Sequence, residues 1–320
     1  MAVLPTGGAP FEAAPLTRRG FMAAGIAGGL ALAACGQSRP QGPGNAAKMA
    51  DAIAAAEAAR PHSGRTVTAA LTAQRTEVDL GGTVVRTLAY GNGVPGPPIR
   101  AKVGDELVVS VSNRLDRPTS AHWHGIVIRN DMDGAAPATP NIDAGQDFTY
   151  RFSVPNPGTY WAHPHVGLQE DAGLYLPLIV DDPADSGYDS EWIVVLDDWT
   201  DGVGKSPRYL FDELTSANKP GAHSTPTTTT TSAAPELSRG ATIAFDNTTM
   251  MYHPMHLHGH TFQLINSDGT PGPRKDTVIV LPKKKLNAVL VADNPGVWQL
   301  HCHNTYHMAA GMQTRLDYLF

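Results

Sequence analysis

The chain has 320 residues, which is enough for two domains of ordinary size. Only 17% of the residues are charged, whereas glycine (32) and proline (26) are abundant, and this composition favours a β-sandwich protein. The net charge of -6 provides no basic surface for nucleic acid, so we expect no nucleic-acid partner. The chain has only two cysteines, Cys35 and Cys302, and each needs its own explanation because secreted proteins normally pair spare cysteines.

The first 35 residues predict an export signal. A twin-arginine pattern, Thr17-Arg18-Arg19-Gly20-Phe21, precedes an apolar run at 22–34 that is too short and Gly-rich to span a membrane as a helix. Leu32-Ala33-Ala34-Cys35 resembles the lipobox of bacterial lipoproteins. We therefore expect twin-arginine export to the periplasm or cell surface, with a lipid on Cys35 as the only membrane anchor. The alternative is a plain secretory signal with an incidental Cys35.

Residues 36–64 are predicted to tether the signal to the folded part. The first ten are rich in Gly, Pro and Ser, which is typical of a flexible linker. Residues 46–60 are Ala-rich and predict a helix that ends before Pro61. We expect this helix to be a solvated spacer.

Two groups of strands follow, and alternating or β-branched runs separated by Gly and Pro clusters define them. The first group indicates a Greek-key sandwich of the cupredoxin type over residues 65–182. The second indicates another such domain over 237–320, so the predicted fold is all-β with two cupredoxin-like Greek-key β-sandwich domains. The connector 183–236 contains a low-complexity linker at 219–235, and its apolar run at 191–196 is predicted to be a further strand of the second domain.

Histidine pairs are the strongest chemical signal in the chain. They are His122-Trp123-His124, His163-Pro164-His165, His253-Pro254-Met255-His256-Leu257-His258 and the stretch 301–312, HCHNTYHMAAGM. Because side chains alternate along a strand, each extended His-x-His presents two imidazoles to one side. In the last block Cys302 would then face away from His301 and His303. Two His, one Cys and a distant Met are the ligands of a blue-copper site.

The blocks HWHG, HPH, HPMHLH and HCHNTYHMAAGM occur once each and in this order, and they resemble the four copper signatures of the multicopper oxidases. The resemblance covers most of residues 65–320 and implies four coppers. It implies that His253, Cys302, His307 and axial Met312 bind the type 1 copper, and that His122 and His256 bind the type 2 copper. It assigns to the type 3 pair His124, His163, His165, His258, His301 and His303. His62, His223 and His260 are left as ordinary surface or supporting residues.

Two acidic residues are candidates for supporting roles. The resemblance implies that Asp133, nine residues after His124, delivers protons to the three-copper cluster, although a turn Asp beside Gly134 is the alternative. Some relatives carry a second acid directly after the equivalent of His307, where this chain has Met308. Asp276 is hypothesised to orient a ligand.

The resemblance implies a laccase-like oxidase that uses Cys302 to pass electrons from phenols, aromatic amines or metal ions towards O2, which is reduced to water. Two other hypotheses are a periplasmic copper-resistance protein, either a cuprous oxidase or a copper binder, and an inactive deletion form. Zinc is the rival metal, but structural zinc prefers four closed ligands. Met250, Met251, Met255 and Met308 are interpreted either as a soft Cu(I)-binding patch or as core or pocket-lining residues.

The spacing of the blocks constrains the architecture. Only 87 residues separate His165 from His253, which leaves no room for a middle sandwich. The layout therefore resembles either the two-domain small laccases or a three-domain enzyme without its middle domain. Because the blocks lie in two domains, the cluster must form at a domain interface. That interface lies either within one chain or between the chains of a closed homotrimer.

Overall fold

The computed structural model describes residues 43–185, 189–216 and 240–319. The predicted signal with Cys35, residues 36–42 of the tether, His223 and the linker at 219–235 lie outside these ranges. No helix within the ranges is long and apolar enough to cross a membrane. The elements discussed below belong to the unit Asn45–Phe320, apart from the first two residues of the first helix.

The first sandwich consists of two four-stranded sheets with the orders β2-β1-β4-β6 and β3-β8-β7-β5. Its strands are β1 (Thr66–Asp79), β2 (Val84–Tyr90), β3 (Ile99–Lys102), β4 (Glu106–Asn113), β5 (His122–His124), β6 (Asp147–Ser153), β7 (Gly158–His163) and β8 (Leu176–Asp181). Strand β1 is parallel to β4, which requires the chain to cross over between them. Leu107, Val109 and Val111 alternate into the core from β4, as the sequence pattern predicts.

The second sandwich repeats this plan with the sheet orders β13-β10-β15-β16 and β12-β11-β14-β9. Its strands are β9 (Gly240–Asp246), β10 (His253–Leu257), β11 (Phe262–Ile265), β12 (Pro271–Lys275), β13 (Thr277–Val280), β14 (Lys285–Val291), β15 (Val297–Cys302) and β16 (Gln313–Asp317). Non-sequential strand orders occur in both sandwiches, and the prediction of an all-β fold with two cupredoxin-like sandwiches is confirmed.

Helix α1 (Pro43–Ala58) packs against the sandwiches. Met49 and Ile53 are one helical turn apart, and both are buried in the hydrophobic core. At its C-terminal end, Glu57 accepts hydrogen bonds from the Ser153 backbone and hydroxyl, both at 2.9 Å. Beyond the helix, Arg60 donates to Asn294 at 2.9 Å. The helix was predicted, but the expectation that it is a solvated spacer is wrong.

The apolar run at 191–196 is the second correction. It forms no strand, and the side chains of Trp192 and Leu196 are 87% and 90% exposed. The second sandwich has its eight strands without this segment, so the segment has no place in either of its sheets. Two further helices, α2 (Pro207–Ser216) and α3 (Thr305–Ala309), were not predicted.

Two buried asparagines fix the sandwiches against each other. Asn130 of the first sandwich donates to the Val297 carbonyl at 2.8 Å. Asn294 of the second donates to the carbonyls of Ile128 and Gly259, both at 2.8 Å. Because buried amides without partners are costly, these bonds favour one relative orientation of the two sandwiches within one chain.

We predict that Ile53→Ala lowers the free energy of unfolding by about 2–5 kcal/mol, since it removes a buried side chain from the core. Lys48→Ala, on the exposed face of the same helix, should change it by less than about 0.5 kcal/mol. Chemical denaturation of the full chain measures both values. Equal stability of the two variants would mean that α1 does not stabilise the sandwiches.

Candidate metal centres

Strand register brings the histidine pairs together. In the first sandwich β5 and β7 are antiparallel, with His122 opposite His163. In the second, β10 and β15 are antiparallel, with His256 opposite His301 and Met255 opposite Cys302. Each sandwich therefore presents paired imidazoles on adjacent strands.

The two sets of imidazoles meet at the interface between the sandwiches. The ring centroids of His122 and His258 are 3.7 Å apart, and those of His124 and His256 are 3.8 Å apart, so one ring from each sandwich stacks on one from the other. All eight histidines of this cluster come from one chain: His122, His124, His163, His165, His256, His258, His301 and His303. A neighbouring chain is therefore not needed to bring them together.

Distances divide the cluster into two trios and a pair. In the first trio, Nε2 of His163 lies 3.4 Å from Nδ1 of His124 and 3.2 Å from Nε2 of His303. In the second trio, Nε2 of His258 lies 3.0 Å from Nε2 of His301, and His165 has a ring nitrogen within 4.8 Å of both. His122 and His256 form the remaining pair. Ring nitrogens of His122 also lie within 4.8 Å of those of His124 and His163, and of those of His256 and His258. The assignment of these residues to type 2 and type 3 sites therefore stays a prediction.

Hydrogen bonds fix the orientation of several rings. Nδ1 of His122 donates to the Asp133 carbonyl at 2.8 Å, and Nδ1 of His256 donates to the Asp276 carbonyl at 3.0 Å. Because a carbonyl only accepts, these rings carry their proton on Nδ1, and Nε2 keeps its lone pair. The buried Nε2 atoms of both rings, and of His165, have no hydrogen-bond partner within the described ranges. This is the arrangement of metal-binding imidazoles.

Burial also keeps the rings neutral. It lowers the pKa of six cluster histidines well below the ordinary value, and neighbouring imidazoles lower it further. These six are His124, His163, His165, His256, His258 and His301. A neutral imidazole binds a metal ion without first losing a proton.

Asp133 lies beside the cluster, where the resemblance implies an acid. Its Oδ2 accepts from Nδ1 of His258 at 2.9 Å, and its Oδ1 lies 3.3 Å from Nδ1 of His122. Burial raises the pKa of this carboxyl group. It therefore contacts one histidine from each sandwich, whereas its role in proton delivery stays a prediction.

Gly134 allows the neighbouring Asp133 to lie against His258 and His122. Its φ is +80°, and a Cβ added there would lie 1.8 Å from the Ala121 carbonyl oxygen.

Asp276 and Thr277 contact the opposite side of the cluster. Besides the backbone contact with His256, a carboxylate oxygen of Asp276 lies 3.6 Å from Nε2 of His124. The Thr277 hydroxyl lies 3.1 Å from the same nitrogen and 3.0 Å from Nδ1 of His256. Asp276 therefore contacts two rings of the cluster, whereas its role in orienting a ligand stays a prediction. A cavity of about 340 Å³ reaches these residues and His303.

A second, smaller group surrounds Cys302. Its Sγ lies 3.7 Å from Nδ1 of His253 and 3.6 Å from Nδ1 of His307, and these two nitrogens are 3.2 Å apart. The Thr249 hydroxyl contacts Nε2 of His253 at 2.8 Å, while the Asn304 side chain caps α3 by accepting from the His307 backbone at 3.2 Å. These contacts orient the two rings towards the sulfur.

Burial raises the pKa of the Cys302 thiol to about 11, so the thiol keeps its proton at neutral pH until a metal ion displaces it. The Met312 carbonyl accepts from the Cys302 backbone at 3.0 Å, and the Met312 side chain is half-buried. Its role as an axial ligand stays a prediction.

The alternation predicted for the last block is present in the structure. Cys302 belongs to the small group, whereas its neighbours His301 and His303 belong to the second and first trios of the cluster. One short backbone segment therefore connects the two sites. Of the histidines left out of the ligand set, His260 uses both nitrogens, against the His258 carbonyl at 2.9 Å and the Tyr318 hydroxyl at 2.8 Å.

Glu170 is the site residue that sequence reasoning missed. Its Oε2 lies 3.0 Å from Nδ1 of His163, and its Oε1 lies 3.8 Å from Nδ1 of His303. In the sequence it is an acid five positions after His165 without a motif of its own. Only its position after a histidine pair could have drawn attention to it.

Two family models, both described as multicopper oxidase, match residues 72–185 and 208–318. The chain belongs to the multicopper oxidase family. It is accordingly an oxidoreductase, and family membership implies copper. The matched regions contain the second sandwich and all of the first except residues 66–71 of β1. They also contain all eight clustered histidines, together with Cys302, His253 and His307.

Individual relatives agree with this assignment. The chain is 43% identical to multicopper oxidase MmcO of Mycobacterium tuberculosis over 505 aligned residues that cover 100% of both chains. It is 31% identical to laccase-1 of Botryotinia fuckeliana in an alignment of 261 positions that covers 76% of this chain and 45% of that one. The solved multi-copper oxidase of Pseudomonas thermotolerans has the same fold, with a TM-score of 0.62, 21% identity and coverage of 79% and 99%.

The first of these alignments also measures how short the chain is. Because 505 aligned positions face a chain of 320 residues, at least 505 − 320 = 185 positions have no counterpart here. In the alignment with copper resistance protein A of Pseudomonas syringae, the matched region spans only 21% of the relative's length.

We predict that Gly134→Ala reduces copper binding, since the added Cβ would push Asp133 away from His122 and His258. Gly145→Ala is the matched control, because Gly145 has a similar φ of +76° but nothing within 4 Å of an added Cβ. Both variants should lose about 1–3 kcal/mol from backbone strain, and Gly134→Ala should lose more, because its Cβ would also meet the Ala121 carbonyl. Only Gly134→Ala should also hold less copper per chain in elemental analysis, and equal copper content would contradict this account.

We further predict that the copper-free protein loses stability as the pH falls below about 6.5, the value of an unfolded histidine. The folded pKa values of the six histidines are lowered, so below pH 6.5 the unfolded chain binds more protons than the folded one. Their contribution is fully present above that pH. Denaturation series between pH 8 and pH 5 measure the effect, and a flat profile would show that the rings are not buried in neutral form.

Proposed function

We propose that the protein is a laccase-like multicopper oxidase, which couples one-electron oxidation of a small reducing substrate to four-electron reduction of O2 to water. The observation that carries this proposal is the eight-histidine cluster with inward lone pairs, connected through one residue to a Cys/His/His group. Neither site alone would support the coupled reaction, because one must accept single electrons while the other collects four.

The proposed ligands are grouped by the distances given above. Cys302, His253 and His307, with Met312 axial, would hold one copper, since a thiolate, two imidazoles and a thioether suit copper that exchanges single electrons. The pair His122 and His256 would hold a second. The two trios would each hold one more, which gives four coppers per chain. Zinc fits less well, because eight imidazoles beside an open cavity do not form closed four-ligand sites.

Bound copper would supply the redox chemistry. The chain would hold the ligands in position, connect the two metal sites through its backbone and donate protons. The backbone from Cys302 to His301 and His303 offers a short covalent route between the sites. Most of the imidazoles are buried, and the cavity beside His124 and His303 leaves an approach to the cluster for a small molecule. Asp133 is the proposed proton donor, because its raised pKa lets it hold a proton at higher pH than an exposed Asp.

The proposed substrates are phenols, aromatic amines or reduced metal ions. A role in copper resistance, by oxidation or binding of Cu(I), is the second candidate. Three relatives named copper resistance protein A or its homolog are 40–43% identical over 127–147 residues. In addition, Met250 and Met251 are 76% and 43% exposed close to His253 in the chain. The intact histidine cluster argues against the third candidate, an inactive deletion form.

We also propose that residues 1–35 direct twin-arginine export to the periplasm or cell surface, with Cys35 as a lipid anchor. The support is the twin-arginine and lipobox patterns in the sequence.

Copper content, absorption spectra and O2 uptake of the copper-loaded chain test the proposed activity. We expect about four coppers per chain and an intense visible band from the Cys302 thiolate. We also expect a near-ultraviolet band from the two coppers that the two histidine trios would hold. Cys302→Ser should lose the visible band and the turnover of organic substrate while it keeps the near-ultraviolet band. His62→Gln, at an exposed histidine outside both sites, is the control and should match the wild type.

Each result distinguishes the candidates. Turnover of organic substrate by Cys302→Ser would contradict the proposed electron route. A visible band without O2 uptake in the wild type would favour the copper-binding candidate. Absence of both bands after copper loading would favour the inactive form.

A further inference from the structure

Two carboxyl groups lie behind the cluster, on the outer side of its imidazoles: Asp133 is buried, and Glu170 is largely covered. Asp133 contacts His258 of the second trio and His122 of the pair. Glu170 faces His163 and His303, which are two of the three rings of the first trio, at 3.0 and 3.8 Å. The resemblance to the family accounts for Asp133, whereas Glu170 has no assigned role.

The backbone holds Glu170 firmly in this place. It begins a single 3-10 turn, Glu170–Ala172, that follows the second histidine pair. The preceding Gln169 is buried and clamped, with its amide donating to the Pro118 carbonyl at 2.8 Å and its oxygen accepting from the Thr119 hydroxyl at 2.7 Å. After the turn, Gly173 has a φ of +93°, and an added Cβ would lie 2.7 Å from the Leu88 carbonyl oxygen.

The surroundings of Glu170 are unusual for a carboxylate. Its side chain is only 16% exposed, and its ion-pair partners within the described ranges are the two imidazoles, with no Lys or Arg among them. Buried carboxylates normally require a compensating partner. The inner Nε2 atoms of His163 and His303 lie 3.2 Å apart on the far side of the rings, so both rings lie between the carboxylate and the proposed copper position.

We propose that Glu170 is a positioning residue for the first trio. In its ionised form Glu170 accepts from Nδ1 of His163 at 3.0 Å, beside the Pro164 carbonyl at 3.2 Å, and lies 3.8 Å from Nδ1 of His303. These contacts favour the Nδ1–H form of both rings and leave their Nε2 lone pairs for the metal. It also places a carboxyl group behind the first trio, as Asp133 does behind the second. This inference rests on the proposed function.

The residue after His307 bears on the role of Glu170. Some family members carry a second acid directly after the equivalent of His307, but this chain has the buried Met308 there. Glu170 supplies a second carboxylate from the other sandwich. The two trios of the cluster thereby each receive one carboxylate, Glu170 for the first and Asp133 for the second.

Substitutions at Glu170 in the copper-loaded full chain test the inference. Glu170→Gln keeps the size of the side chain and removes its charge, whereas Glu170→Asp keeps the charge on a shorter side chain. The readout is the rate at which a chelator removes copper, followed separately in the near-ultraviolet and visible bands. Glu77→Gln, at an exposed glutamate paired with Arg86, is the matched control.

Glu170→Gln should lose its near-ultraviolet band about 10–100-fold faster than the wild type, since loss of an outer partner typically weakens metal binding by this factor. Its visible band should decay at the wild-type rate. Glu170→Asp should lie between Glu170→Gln and the wild type, and Glu77→Gln should match the wild type.

Three results would overturn the inference. Equal rates for Glu170→Gln and the wild type would show that the charge is not needed. Equal acceleration of both bands would show a general packing role instead. A wild-type protein without the near-ultraviolet band would overturn the proposed function and this inference together, whereas the first two results leave the proposed function intact.

Discussion

The stacking of imidazoles across the boundary between the two sandwiches is the contact on which the rest of the site depends. His122 stacks on His258 and His124 on His256, so each ring is held by a partner from the other half of the chain. Neither sandwich alone contains a complete set. The side-chain hydrogen bonds of Asn130 and Asn294 hold this boundary in one orientation. Loss of these hydrogen bonds would misalign histidine rings that lie far from the two asparagines in the sequence.

The outer contacts of the rings fix the orientation of several imidazoles in the cluster. Backbone carbonyls and the Asp133 carboxylate accept the outer ring protons, and burial keeps the rings neutral. Three of the eight imidazoles, those of His122, His165 and His256, have a buried Nε2 without a hydrogen-bond partner in the part of the chain that the structure describes. Buried nitrogens without hydrogen-bond partners destabilise the folded chain, and bound metal ions would offset this free-energy cost.

The sequence predicted the strands and the histidine pairs well, because alternation along a strand is a local pattern. It failed where the outcome depends on distant partners. The run at 191–196 has strand character but no neighbouring strand to pair with. The Ala-rich helix α1 shows only two buried apolar positions, Met49 and Ile53, too few to reveal its packing. Glu170 belongs to no motif, and its proposed role depends on the imidazoles of His163 and His303, which only the fold places beside it.

Light scattering with size-exclusion of the copper-loaded protein, combined with copper analysis of each fraction, tests most directly whether one chain completes the cluster. The account predicts that a monomer carries about four coppers and consumes O2 with a reducing substrate. Monomers that hold about one copper, with O2 consumption confined to a trimer fraction, would contradict it and favour the homotrimer instead.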